Sequence, residues 1–88
     1  MNILNKPIEM VAVTDKTGKI KPIRFRTSDT DDSEQQVIKI ERVLRIEEIK
    51  VGNDKARQFF CEVIINERNQ PCEVVYILST MKWILYKI

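Results

Sequence analysis

The sequence predicts an all-β fold of about six antiparallel strands, arranged as a small SH3-like barrel or a curled meander sheet. Apolar residues recur with a period of two, turn residues separate these runs, and several runs are apolar on both faces. The 88 residues suit one small β-barrel-like domain spanning residues 1–88. Apolar residues make up 43% of the chain, which excludes a disordered chain.

The first two strands are predicted on either side of a tight turn. Residues 8–13 carry apolar side chains on both faces of a strand. The turn reads Asp15-Lys16-Thr17-Gly18, in which Asp15 accepts backbone hydrogen bonds and Gly18 adopts the left-handed conformation. Residues 19–26 form the return strand. Pro22 places this strand at a sheet edge or at a bulge, because proline donates no backbone hydrogen bond.

The third predicted strand runs from Gln36 to Val51, after a polar stretch over 27–34. Even positions from 38 to 46 are mostly apolar, and the odd positions between them are mostly charged. A helix is the alternative, because the segment is long and rich in Glu, Arg and Leu, but helical spacing gives no single apolar stripe. The apolar set changes after Ile46, which predicts a bulge or bend near Glu47-Glu48.

The remaining strands, predicted over 59–65, 71–78 and 82–88, read as a β-meander. Apolar residues on both faces of the last two strands indicate either a barrel or a sheet covered by another subunit. The predicted bend in the third strand favours the barrel, because strong curvature requires a bulge. A homodimer contact is compatible with both arrangements.

Residue types needed for most catalysis are missing from the sequence. The chain has no histidine, which removes the usual general base, and its two glycines exclude a phosphate-binding loop. Two cysteines without histidine do not complete a zinc site. We therefore expect no enzyme activity, no cofactor and no metal.

The cysteines and the N-terminal sequence bear on the cellular compartment. Cys61 and Cys72 flank a predicted hairpin turn and are interpreted as buried reduced thiols, with a disulfide as the alternative. Residues 1–7 lack the apolar run of a secretory signal, and no stretch reaches the ~18 apolar residues of a membrane span. A cytoplasmic protein without a membrane partner is expected.

Three segments are candidate binding sites. The acidic stretch 29–34 begins like a calcium loop, but Glu34 replaces the required glycine, so we interpret it as a solvated loop. The second segment contains Arg24, Phe25 and Arg26, and basic side chains with an aromatic ring could contact phosphates or a partner's carboxylates. The alternative is that these charges protect an edge strand.

The third candidate is the aromatic and basic C-terminal segment 82–88. Trp83 is interpreted as a core residue. Tyr86 is the better candidate for an exposed ring, because Lys82 shares its face. Apolar residues continue to position 88, which predicts that this segment is a paired strand.

Several segments together support a family resemblance: 7–12, the turn ending at Gly18, 22–26, 37–40 and 82–87. Through them the chain resembles a family of short all-β proteins of uncharacterised activity that is common in Firmicutes, especially clostridia. More loosely, it is similar to small β proteins encoded near Y-family DNA polymerases. The resemblance implies a bacterial cytoplasmic protein and a setting in nucleic-acid processing.

The leading functional hypothesis is a non-enzymatic interaction module that binds a protein partner or itself. The second is a nucleic-acid-binding accessory protein of DNA repair or replication, which would use Arg24, Arg26 and Arg42 with Phe25 or Tyr86. An enzyme subunit completed only in an oligomer is the third. The net charge of +2, from 15 basic and 13 acidic residues, gives no strong field, so any nucleic-acid site requires local clustering.

Overall fold

The computed structural model describes residues 2–27 and 36–88, and all regular structure in these ranges is β-strand. The strands are β1 Ile3–Thr14, β2 Ile20–Thr27, β3 Val37–Val51, β4 Asp54–Ile65, β5 Arg68–Ile77 and β6 Lys82–Lys87. The acidic stretch 29–34 lies outside the described residues. Within the described ranges, no helix has the length and apolar character needed to cross a membrane.

The six strands form a closed antiparallel barrel in which each strand pairs with the next and β6 pairs with β1. The predicted all-β barrel is therefore confirmed. Pro22 lies at a register shift between β1 and β2, where Val11 pairs with Arg24 and Ala12 pairs with Pro22. This is the bulge that the proline predicted.

The barrel core contains ten buried side chains from β2 to β6. Trp83 is one of them, and its ring lies 5.3 Å from that of Phe59 and 4.9 Å from that of Tyr76. These contacts confirm Trp83 as a core residue and place β6 inside the sheet. The full set is Phe25, Ile38, Ile40, Phe59, Cys61, Val63, Cys72, Val74, Trp83 and Leu85.

The bends of β3 differ from the prediction. Register shifts occur between Ile40 and Arg42 and again between Val43 and Arg45, whereas pairing from Arg45 to Val51 is regular. The bulge expected near Glu47-Glu48 was thus placed too late. Each bulge shifts the alternation of inward and outward residues by one position. After both bulges, even-numbered residues again face inward, so the period-two pattern of the sequence does not show where the bulges lie.

A second apolar cluster on the outer face explains the change of apolar positions after Ile46. Ile49 pairs with Ala56, and Val75 pairs with Ile84 on the same face. Ala56 and Val75 are buried but lie outside the barrel core. Ile49 is apolar because it covers this outer cluster, and no change of strand phase is needed.

Candidate functional site

The contact between β2 and β3 is the shortest ladder of the barrel. It consists of three pairs, Arg24–Lys39, Phe25–Ile38 and Arg26–Val37. From there the two strands diverge, and among the described residues β3 pairs only with β4 from Ile40 onward. The barrel therefore has a seam along which backbone groups of both strands lack a ladder partner.

A groove of about 560 Å³ occupies this seam, and we call it the seam groove. Its apolar wall comes from both strands and from the buried ring of Phe59. Charged residues from both sides of the seam also line it. The groove residues are Val13, Asp15, Lys19, Ile20, Lys21, Pro22, Val43, Leu44, Arg45, Ile46 and Phe59.

Beside the groove, residues Arg45–Val51 of β3 form a regular strand that, within the described part of the chain, is paired with β4 alone. We call its other side the free edge of β3. Leu44 and Ile46, at the start of this edge, have exposed fractions of 58% and 53%. A long edge with exposed apolar side chains is uncommon, because proteins usually protect such edges from pairing with other strands.

Arg45 is held in place at the start of the free edge. Its guanidinium lies 4.0 Å from the centre of the Phe60 ring, and its Nη2 lies 3.5 Å from Oε2 of Glu47. Arg45 and Glu47 are on the outer face of the sheet, and Arg45 also borders the seam groove. The edge therefore combines exposed apolar side chains with ordered charges of both signs.

Asp15 is the acidic residue of the groove wall, and its side chain is hydrogen-bonded within the β1–β2 turn. Its Oδ1 accepts hydrogen bonds from the Thr17 hydroxyl at 2.6 Å, the Thr17 N–H at 2.8 Å and the Lys19 N–H at 3.0 Å. These bonds, the Thr17 hydroxyl foremost, lower the pKa of Asp15. Lys19 and Lys21 are therefore the groove charges available to a partner, whereas Arg45 is already paired with Glu47.

The predicted residues of β2 separate into two groups. Phe25 is 2% exposed and belongs to the core, so its proposed contact with a partner is wrong. Alternation along the strand turns its ring inward and the two arginines outward. Nε of Arg26 donates to Oε1 of Glu9 at 2.9 Å, and Nη2 donates to Oε2 at 3.2 Å. This pair lowers the pKa of Glu9, mainly through the hydrogen bond from Arg26.

Arg24 and Arg26 line one pocket on the outer face of β2, but Arg42 and Tyr86 do not line it. Arg24 lies opposite Lys39, and Nε of Arg42 lies 3.2 Å from Oε1 of Glu62. Tyr86 is only partly exposed and lines a pocket of the outer cluster with Val75 and Ile84. The expected exposed ring at Tyr86 is thus half-buried. On β1, Tyr86 is adjacent to the region of Asn5, whereas Arg24 pairs with Val11 of the same strand. Asn5 and Val11 are about 20 Å apart along β1.

Neither a metal site nor a reactive thiol is found in the described part of the chain. No group of three or more His, Cys, Asp or Glu side chains could hold a metal ion there. Cys61 and Cys72 are free and buried, as predicted, and burial raises the pKa of each thiol to about 12.

Sequence reasoning missed the free edge of β3. It assigned Leu44 and Ile46 to the apolar face of the strand, since a period-two pattern does not distinguish core from exposed edge. Pro22 was the available signal, because it placed β2 at an edge or a bulge.

Comparison with protein-family models, with curated proteins and with solved structures found no match to this chain. The resemblance to the Firmicutes family stays a prediction.

Proposed function

We propose that this chain is a non-enzymatic interaction module that binds an extended polypeptide strand along the free edge of β3. The observation that carries the proposal is the regular run Arg45–Val51, which pairs with β4 on one side and, among residues 2–27 and 36–88, has no ladder partner on the other. A strand added there would satisfy these backbone groups by β-augmentation.

Side chains around the edge would supply the selectivity of such binding. An added strand presents alternate side chains to the two faces of the sheet. One face meets Ile46 and the seam groove, and the other meets the ordered pair Arg45–Glu47. The partner is therefore an extended segment with apolar residues towards the groove and polar or charged residues on the other face.

A polypeptide fits the described surface better than a nucleic acid does. Base stacking requires exposed aromatic rings, but Phe25 is buried and Tyr86 lies in the outer cluster. Arg26 and Arg42 are neutralised by Glu9 and Glu62. Of the three candidate arginines this leaves Arg24, which lies opposite Lys39, and that pair is a small footprint for phosphate binding.

We place this binding in the cytoplasm. The thiols of Cys61 and Cys72 are free although the two residues pair across β4 and β5, which agrees with a reducing compartment.

The experiment is selection from a displayed library of random peptides about ten residues long, enough to span the free edge. Enriched peptides are then titrated into isotopically labelled protein. We expect alternating apolar sequences to be enriched and the backbone amide signals of residues 45–51 to shift most. Labelled single-stranded DNA and RNA are titrated in parallel at low and high salt.

Ile46→Lys is the decisive variant, because a lysine on an edge strand opposes strand addition and the Ile46 side chain is 53% exposed. Ile64→Lys, at an exposed position near the end of β4, is the matched control. We expect the first to abolish peptide binding and the second to leave it unchanged. Peptides that bind both variants equally would overturn the proposal. Tight, steeply salt-dependent binding of oligonucleotides without peptide binding would replace it with the nucleic-acid function.

A further inference from the structure

We infer that the strand bound at the free edge of β3 is β3 of a second copy of this chain. The inference rests on the proposed function and names its partner. Two copies would join edge to edge around a two-fold axis, so that the order β4–β3–β3–β4 continues across both barrels. The charges along the free edge determine whether β3 can pair with β3 of a second copy, and in which register.

Antiparallel self-pairing permits few registers. Residues that lie opposite each other in the new ladder must point to the same face of the sheet. The two-fold axis must therefore pass between one residue and the same residue of the second copy. Registers centred on Arg45, Glu47, Glu48 or Lys50 place like charges directly opposite each other. Like charges across a ladder destabilise it, which leaves the registers centred on Ile46, Ile49 and Val51. Val51 ends the strand, so a register centred on it would place the ladder against the turn at Gly52.

The register centred on Ile49 suits the edge best. It places Glu48 opposite the partner's Lys50 and, by symmetry, Lys50 opposite the partner's Glu48. It lies within the regular run that ends at Val51, so neither bulge interrupts the new ladder. It also brings the two Ile49 side chains together at the axis.

The register centred on Ile46 has two disadvantages. It pairs Arg45 with the partner's Glu47 favourably, but it places Arg42 opposite the partner's Lys50. It also extends across the register shift between Val43 and Arg45, where the backbone bends. Its ladder would extend into the part of the seam that is next to β2. The ladder of the Ile49 register instead uses the C-terminal part of β3.

Charge exchange between two variants tests both the partner and the register. Glu48→Lys carries lysine at positions 48 and 50, and Lys50→Glu carries glutamate at both. Each variant alone opposes like charges across the axis, whereas an equimolar mixture restores two opposite-charge pairs. We expect each variant alone to dimerise about tenfold more weakly than the unchanged chain, and the mixture to recover dimers.

Sedimentation velocity from about 10 µM to about 1 mM measures the association, and circular dichroism shows that each variant is folded. Glu67→Lys and Lys16→Glu, both in exposed turns, reproduce the two net charges and should leave dimerisation unchanged. A chain that stays monomeric throughout overturns the inference. Recovery by Arg45→Glu mixed with Glu47→Arg, in place of the first mixture, overturns the Ile49 register.

The outcomes also separate this inference from the proposed function. If the chain is monomeric but selected peptides still bind in an Ile46-dependent manner, strand addition stands and the second copy is not the partner. If neither peptides nor a second copy bind the free edge, both the proposed function and the inferred dimer are overturned.

Discussion

Cys61 of β4 lies directly opposite Cys72 of β5, and both side chains are buried in the barrel core. The Cys61 thiol lies 3.6 Å from the Phe59 carbonyl oxygen, to which it is positioned to donate. The two thiols act as small core residues in the narrow interior of the barrel. Their burial makes ionisation costly, and this affects both reactivity and stability.

We expect the thiols to react slowly in the folded protein. Burial raises the pKa of each to about 12, so the reactive thiolate is scarce near neutral pH. Reaction with an aromatic disulfide reagent at pH 8 should be about a thousandfold slower than after unfolding in urea. Equal rates would contradict the buried placement of the pair.

The same thiols should make stability depend on alkaline pH. The unfolded thiols ionise near the ordinary value of 9.0, whereas the folded thiols stay protonated. The contribution of the protonated thiols to the free energy of unfolding is complete below pH 9 and is lost as the pH rises towards 12. Urea unfolding at pH 8 and pH 10 should show this fall. It should be smaller in a Cys61→Ala/Cys72→Ala variant, and an identical fall in both proteins would exclude the thiols as its cause.

Removal of β6 should unfold the chain. β6 pairs with both β1 and β5, and Trp83 packs against Phe59 and Tyr76. Truncation before Trp83 opens the barrel and exposes its core, so the β-sheet signal in circular dichroism should disappear. Trp83→Ala should cost about 3–5 kcal/mol, and Trp83→Phe less, because the phenyl ring fills part of the space. A folded truncated chain would refute the closing role of β6.

Gln58 should matter to stability through the buried carboxylate of Glu73. Glu73 is 7% exposed, and Oε1 accepts a hydrogen bond from Nε2 of Gln58 at 2.6 Å. Gln58→Leu removes the donor and should lower the free energy of unfolding by about 1–3 kcal/mol. Replacing both residues with leucine should restore part of the loss. Additive losses in the double variant would show that the hydrogen bond contributes little.

The pair Glu9–Arg26 should change an ionisation with little effect on stability. We expect the Glu9 carboxyl to titrate below its ordinary pKa of 4.5, since Arg26 favours its charged form. The associated stabilisation is present above that value and declines as the pH falls through the lowered pKa. Arg26→Gln should return the carboxyl towards 4.5 in an NMR titration, whereas Arg24→Gln should not. Because both groups are exposed, the midpoint of thermal unfolding should hardly change.

The strands could be predicted from the sequence because alternation and turn residues agree in most of the chain. Asp15 and Gly18 enclose the first turn as expected, with Gly18 at φ 90°. The turn between β4 and β5 was predicted too long, since Asn66 and Glu67 alone form it, both at positive φ. A glutamate in the left-handed region has no sequence signature, because its neighbours in the ladder impose that conformation.

The candidate site was much less predictable than the fold. Arg24, Arg26 and Arg42 do face outward, but which arginine meets an acid depends on cross-strand register. Sequence alternation gives the face of a residue and not its partner on the next strand. The β2–β3 ladder ends after three pairs, and even continued in the same register Ile20 would reach only Val43, so the free edge of β3 lies beyond β2. Both ladder length and register are properties of the whole barrel.

The two bulges of β3 have a consequence for the lengths that this strand tolerates. Deleting the extra residue of one bulge, Glu41 or Leu44, would leave every later side chain of β3 on its present face, because Arg42 already lies opposite Glu62 and Arg45 opposite Phe60, but it would remove one bend of the strand. Deleting two would keep the faces but straighten the strand, so that β2 could pair along it and the seam would close. The two extra residues of β3 therefore set the bends of the strand and the opening beside β2, while pairing with β4 sets the face of each later side chain.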